Sequence, residues 1–144
     1  RGQILATEPL PRISQPVALV HLRYYYQQLS DGRLVIGGGR QRYADEERTY
    51  SDEINMRVQA VIEDYIAQYF PEAKGRVSRR WAGIHGMTAD GLPIIGRLPD
   101  EPEVYFAVGF SGMGNSLGLI AGERLVNLIL NGSAPGVFSV QRFS

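Results

Sequence analysis

The sequence contains no cysteine, only two histidines and one tryptophan, and no excess of charge of either sign. Without cysteine the chain can form no disulfide framework, no thiolate metal site and no cysteine nucleophile, and two histidines alone cannot supply a three-ligand zinc site. Its 15 basic and 15 acidic residues balance, which argues against a polyanionic partner. We therefore predict no metal site and no nucleic-acid partner.

Long hydrophobic runs are also absent. No segment approaches the roughly 20 apolar residues that a membrane-spanning helix requires, and no N-terminal segment has the pattern of a signal peptide. We therefore predict no membrane span and a cytoplasmic location. The 144 residues, of which 44% are hydrophobic, suit a small globular chain. Because it begins at Arg1 and at once becomes strand-like, we expect a piece of a longer polypeptide.

The first half of the chain has the pattern of a sheet. A short strand is predicted over 3–7, and a β-hairpin is predicted over 17–36 because two apolar, aromatic-rich runs flank a turn at 30–33. Strand side chains alternate between faces, so Tyr24 and Tyr26 should share one face.

A charged segment and a helix follow this hairpin. Residues 40–50 are mostly polar and charged, so they are predicted to form a solvated loop. Apolar residues then recur every three or four positions, which predicts a helix that Ser51 or Asp52 caps and Pro71 ends.

The second half ends in a strand-loop-helix unit. A strand over 76–85 and a turn at Asp90 come first, and Asp90 is expected to bond its own backbone there. An apolar strand over 104–108 then leads into a glycine-rich bend at 109–114 and a helix over 116–130 that Asn131 and Gly132 end.

The bend has the spacing G-x-x-G-x-G, which differs from the dinucleotide fingerprint G-x-G-x-x-G. Backbone without Cβ atoms still lets N–H groups approach a ligand, and a helix start adds partial positive charge. Gly114, Gly118 and Gly122 would also leave one helix stripe almost bare, so that another backbone could pass close. The alternative is that these glycines serve only tight packing and a strained turn.

Three segments carry a family resemblance. The blocks at 80–84 (RWAGI), 88–96 (TADGLPIIG) and 104–114 (VYFAVGFSGMG) stand in the order found in FAD-dependent oxidases. The chain resembles the C-terminal part of the D-amino acid oxidase family, which includes glycine oxidase, sarcosine oxidase and bacterial amine oxidases. The resemblance covers nearly the whole chain.

The resemblance implies an α+β fold. Residues 1–79 would be part of the substrate-binding domain, an antiparallel sheet with a helix, and residues 80–144 the C-terminal part of the FAD-binding domain. The N-terminal Rossmann βαβ unit of the family has no counterpart here, so the N-terminal FAD-binding half of the same protein is an expected partner. We expect the chain alone to bind FAD weakly or not at all and to be inactive.

The resemblance also implies site residues. The bend would lie along the pyrimidine side of the flavin, with backbone N–H groups of Gly112, Met113 and Gly114 at the flavin edge. The full set of predicted cofactor-binding residues is Gly109, Ser111, Gly112, Met113, Gly114 and Asn115.

Three further residues are predicted to face the substrate. Tyr24 and Tyr26 lie on the hairpin arm that would cover the flavin ring, although they could equally form an ordinary half-buried sheet face. His85 stands where the family often has an arginine that pairs with the substrate carboxylate. Its presence puts free α-amino acids in doubt and favours an amine or an N-substituted substrate, unless His85 is merely a hydrogen-bonded strand-end residue.

The predicted activity is oxidation of the C–N bond of a small-molecule amine or amino acid, with hydride transfer to flavin N5. A dehydrogenase that passes electrons to a quinone or a carrier protein remains an alternative within the same fold. A non-catalytic interaction module, or one subunit of a split flavoenzyme, is an alternative from another class.

Overall fold

The computed structural model describes residues 1–15 and 19–143. It forms two compact units, Arg1–Ile84 and His85–Ser144, called the first and the second unit below. The strand Val77–Gly83, which contains the domain border predicted between residues 79 and 80, pairs with the first strand of the chain. The assignment of the two segments to a substrate-binding and an FAD-binding domain stays a prediction.

The first unit contains a five-stranded antiparallel sheet. The strands are β1 (Gly2–Pro9), β2 (Leu19–His21), β3 (Tyr24–Gln28), β4 (Arg33–Gly38) and β5 (Val77–Gly83), in the spatial order β2-β3-β4-β1-β5. The predicted hairpin is confirmed as β3 and β4. Its first arm is divided, because Leu22 and Arg23 have positive φ and form a tight turn between β2 and β3. The first two residues of the predicted arm, 17 and 18, lie outside the described residues.

One helix, α1 (Met56–Tyr69), covers one face of this sheet. Asn55 caps it by accepting the Arg57 N–H, so the predicted caps Ser51 and Asp52 are wrong, because both lie upstream of the first turn. The helix ends before Pro71, as predicted. Side chains of β1, β4 and α1 meet in a core of buried residues: Leu5, Leu10, Leu34, Ile36, Val58, Ile62, Tyr65, Ile66, Phe70 and Ala73.

The segment predicted as a solvated loop is only partly so. Glu47 is 3% exposed, and its carboxylate lies 2.8 Å from an Arg1 guanidinium nitrogen at the start of β1. Gln3 and Asn55 donate further hydrogen bonds to the same carboxylate. The prediction failed for Glu47 because its partners are distant in sequence and satisfy a buried charge.

The second unit is smaller. Strands β6 (Ile94–Arg97) and β7 (Tyr105–Val108) form an antiparallel pair, and α2 (Gly114–Asn131) follows. Gly132 ends α2 with φ 66°, as the sequence predicts. Two short 3-10 helices, Gly136–Phe138 and Val140–Phe143, complete the unit. Its core contains three buried hydrophobic residues, Ile95, Ala121 and Phe138.

The antiparallel sheets and two α-helices agree with the predicted α+β class. Neither helix of the described residues has the length and hydropathy of a membrane span. Within residues 1–15 and 19–143, the search for groups of three or more histidine and acidic side chains that could hold a metal ion finds none.

Candidate functional site

The glycine-rich bend connects β7 to α2 and has an unusual backbone. Gly109, Ser111 and Gly112 have φ values of 71°, 52° and 87°, all in the left-handed region. The Met113 N–H donates to the Phe110 carbonyl at 2.7 Å, which closes a turn with positive φ at both central residues. Glycine adopts this conformation freely, but Ser111 does so at a cost.

The backbone N–H groups of this loop fall into two sets. Those of Ser111 and Met113 are used inside the unit, because they donate to the carbonyls of Gly86 and Phe110. Those of Gly112, Gly114 and Asn115 have no partner among the described residues. No side chain caps the start of α2, so the first donors of this helix point outward. Of the three donors predicted for the flavin edge, Gly112 and Gly114 are therefore available and Met113 is already engaged.

His85 lies directly beside this loop. A methyl group at position 112 would lie 3.7 Å from His85 Nδ1, so the imidazole lies beside the position that a side chain at residue 112 would occupy. The predicted substrate residue and a predicted cofactor residue are thus neighbours within the second unit.

Thr88 joins the loop to the turn before β6. Its N–H donates to Ser111 Oγ at 3.1 Å, and the two hydroxyl oxygens are also 3.1 Å apart. Its methyl group packs on Gly109, where a Cβ would come within 2.6 Å of Thr88 Cγ2. Position 109 must therefore be glycine for two reasons, its positive φ and the contact with Thr88.

Asp90 is a turn residue, as predicted, because its carboxylate accepts the Leu92 N–H at 3.1 Å. It also forms an ion pair with Arg142, with Nε 2.6 Å from Asp90 Oδ2. The hydrogen bonds from Arg142 hold the pKa of Asp90 well below its ordinary value. Arg142 was not among the predicted residues, because a lone arginine near the end of the sequence gives no local signal of a contact with Asp90.

The hairpin tyrosines occupy both faces of the sheet. Tyr24 and Tyr26 lie on the face that α1 covers, where Tyr24 stacks on Tyr65 with ring centroids 4.0 Å apart and Tyr26 meets Phe70 edge-on. Burial raises the pKa of Tyr65 to about 12. These contacts are those of a sheet packed on a helix.

Tyr25 lies on the opposite face. Its ring crosses the backbone of the neighbouring strand at Gly37, where a Cβ would come within 2.5 Å of the ring. Of the three tyrosines, Tyr25 therefore belongs to the sheet face that α1 does not cover.

The stripe of glycines on α2 is open. A Cβ at Gly118 or Gly122 would meet no heavy atom within 4 Å in the described part of the chain. The close backbone predicted for this stripe therefore stays a prediction.

The N–H groups of Gly112, Gly114 and Asn115 lie at or just before the start of an 18-residue helix, where glycines without Cβ atoms leave the backbone exposed. Chemically, such donors suit a ligand group that accepts hydrogen bonds and carries, or gains, negative charge.

Comparison with known proteins identifies the family of this chain. Residues 1–128 match the family model described as FAD dependent oxidoreductase, and the chain belongs to that family. The predicted resemblance is thereby confirmed, with glycine oxidases and sarcosine oxidases among the proteins that this chain is similar to.

Two relatives and one solved structure illustrate the similarity. Probable oxidoreductase OrdL of Haemophilus influenzae is 30% identical over 137 residues, which cover 88% of this chain and 28% of that protein. Sarcosine oxidase subunit beta of an Arthrobacter species is 34% identical over 131 residues, 85% of this chain and 30% of that protein. L-proline dehydrogenase from P. horikoshii superposes with a TM-score of 0.74 at 25% identity, over 92% of this chain and 36% of that structure. The chain thus spans about a third of the length of the proteins it matches.

Proposed function

We propose that this chain is the C-terminal portion of an FAD-dependent enzyme that oxidises the C–N bond of an amine or amino acid. The observation that carries the proposal is the set of unpartnered N–H groups of Gly112, Gly114 and Asn115 at the start of α2, in a member of an FAD-dependent family. FAD bound there would accept a hydride at N5 from the carbon next to the substrate nitrogen.

The loop residues would stabilise the charge that the cofactor gains. Donors fixed before the reaction, together with a helix N-terminus, favour negative charge at small reorganisation cost. Gly112, Gly114 and Asn115 would supply the donors, while Gly109, Ser111 and Met113 would shape the turn that presents them. The N-terminal half of the full-length protein would supply the remainder of the FAD site.

His85 would face the substrate beside this loop. An imidazole offers one or two N–H donors and a charge that depends on pH, whereas an arginine would bind a carboxylate through two parallel hydrogen bonds. With histidine at position 85, an amine or an N-substituted substrate is favoured over a free α-amino acid.

The hairpin of the first unit carries the predicted aromatic substrate residues Tyr24 and Tyr26. Their rings contact Tyr65 and Phe70 on the α1 side, whereas Tyr25 lies on the face that α1 leaves uncovered. A substrate role for these tyrosines stays a prediction.

The test is the visible spectrum of the full-length protein, followed by anaerobic reduction with glycine, sarcosine, D-amino acids and polyamines. We expect a bound flavin that an amine or N-substituted substrate bleaches. His85→Arg should shift the preference toward substrates that carry a free carboxylate. A full-length protein without flavin would instead support the interaction-module alternative. Bleaching by D-alanine at low concentration, unchanged in His85→Ala, would remove the role of His85.

A dehydrogenase is the second candidate, favoured by the similarity to an L-proline dehydrogenase structure. Rapid mixing of the reduced full-length enzyme with air-saturated buffer distinguishes it from an oxidase. Fast reoxidation with formation of peroxide would exclude the dehydrogenase. Slow reoxidation, accelerated by a quinone, would establish it.

A further inference from the structure

The glycine-rich loop holds a conformation that its own residues do not favour. Ser111 is not glycine yet has φ 52°, a strained conformation that persists only where the surroundings hold it. The neighbouring hydrophobic core has three buried residues, and Phe110 of the loop packs against it together with other partly buried residues. Polar contacts from outside the loop add to this constraint.

Those contacts form a continuous series that ends at Arg142. Ser111 is hydrogen-bonded to Thr88, and Thr88 Oγ1 donates to the Leu92 carbonyl at 2.9 Å. Arg142 Nη2 donates to the same carbonyl oxygen, also at 2.9 Å. Two hydrogen bonds thus converge on one atom, one from the loop side and one from the C-terminal 3-10 helix.

Arg142 uses its whole guanidinium group in this arrangement. Nε and Nη2 bind the two carboxylate oxygens of Asp90 at 2.6 and 3.1 Å, and Nη1 donates to the Ser139 carbonyl at 3.1 Å. Its side chain is 16% exposed. A planar group with several donors fixes direction as well as distance, which a lysine does not do.

We propose that Arg142 is a positioning residue for the flavin-edge loop, acting through the Asp90 turn and Thr88 on Ser111 and the N–H group of Gly112. This inference rests on the proposed function for the identity of the ligand. The loop order that it assigns to Arg142 is a property of this chain and is measurable without a ligand.

The experiment compares amide hydrogen exchange and FAD affinity in the full-length protein for Arg142→Gln and wild type. Contacts of this kind are worth about 0.5–2 kcal/mol. We therefore expect exchange at the hydrogen-bonded amides of Ser111 and Met113 to be roughly 3- to 30-fold faster, and FAD binding to be weaker by a similar factor. Exchange in the middle of α2 should stay unchanged.

Further variants separate positioning from general stability. Arg142→Lys keeps the charge without the paired donors and should give an intermediate effect, whereas Arg124→Gln, an exposed arginine on α2, should give none. If Arg142→Gln does not fold, Asp90→Asn replaces it as the test variant, because it keeps the oxygen that accepts the Leu92 N–H. Faster exchange throughout α2, together with the loop, would mean a merely structural role and would overturn the proposal.

The Gly112→Ala variant separates the positioning role of Arg142 from the proposed flavin contact. Suppose that Gly112→Ala weakens FAD binding while Arg142→Gln and Asp90→Asn leave both loop exchange and FAD affinity unchanged. The positioning role is then wrong and the proposed function stands. If the full-length protein binds no FAD, or Gly112→Ala has no effect on FAD binding, the proposed flavin contact is wrong, and amide exchange in Arg142→Gln still decides whether Arg142 orders the loop.

Discussion

The two units of this chain are stabilised in different ways. In the first unit, α1 and the sheet enclose a core of ten buried hydrophobic residues. In the second, α2 is longer than α1 but has a single buried residue, Ala121, and exposes Leu119 and Leu130 at 90% and 74%. The unit that carries the glycine-rich loop therefore has the smaller buried core, which six partly buried hydrophobic residues extend.

The strongest test of this difference uses one substitution type in both units. Leu34→Ala removes a fully buried side chain of the first unit and should lower the free energy of unfolding by about 2–5 kcal/mol. Leu130→Ala, on the exposed part of α2, should change it by less than about 0.5 kcal/mol. Urea unfolding measures both changes in the free energy of unfolding. Similar losses for the two variants would contradict the difference between the units.

The buried ion pair of the first unit gives the next largest effect. Glu47→Gln removes the charge that compensates Arg1, whose side chain is 8% exposed. Loss of one partner of a buried pair costs about 3 kcal/mol or more. Glu46→Gln is the matched control, because its pair with Arg57 is exposed and should be worth less than about 1 kcal/mol. Equal effects in urea unfolding would show that burial of Glu47 has no energetic consequence.

Two glycines of the second unit should respond in opposite directions to alanine. Gly118→Ala adds a methyl group that, apart from its own helix backbone, would meet no heavy atom of the described residues within 4 Å, so improved helix propensity should raise the stability of this 144-residue chain by up to about 1 kcal/mol. Gly109→Ala should lower it by about 1–3 kcal/mol, because φ is 71° and Thr88 is too close.

The same Gly118→Ala change also tests the predicted close backbone on the bare stripe of α2. If the full-length protein packs a backbone there, the variant should be destabilised in the full-length protein although it is stabilised in this chain. Thermal unfolding of this chain and of the full-length protein measures the two effects. Higher stability of Gly118→Ala in both proteins would contradict the predicted close packing.

The smallest predicted effect is a dependence on pH. Burial opposes the charged form of Glu47, but the hydrogen bonds from Arg1, Asn55 and Gln3 outweigh it and lower its pKa below the ordinary value of 4.5. A carboxyl whose pKa is lower in the folded state adds stability above its unfolded pKa, and this stability is lost as the pH falls. Urea unfolding between about pH 7 and pH 3 should therefore show a decline that is shallower in Glu47→Gln. An identical decline in both proteins would assign the effect to other groups.

Sequence patterns predicted the elements well where the signal is local. The β3–β4 hairpin, the end of α1 at Pro71 and the end of α2 at Gly132 all depend on neighbouring residues, and all three are confirmed. The start of α1 was misplaced, because Ser51, Asp52 and Asn55 are all acceptable caps and only the observed first turn selects Asn55.

The candidate site also combines features that are visible in the sequence with contacts that only the fold creates. The bend at 109–114 is visible in the sequence as closely spaced glycines after an apolar strand. The engagement of the Met113 N–H by Phe110 depends on the turn geometry, and the contact between Thr88 and Ser111 joins residues far apart in the chain. Spacing alone carries no information about either.

The sequence by itself determined the family, the α+β class and the positions of the glycines, because motifs and periodicity are properties of neighbouring residues. Only the tertiary structure decided that Glu47 is buried, that Tyr25 rather than Tyr24 lies on the face without α1, and that Arg142 is bound to the Asp90 turn. Each of these facts depends on residues distant in sequence coming within a few ångströms, and folding alone brings them there.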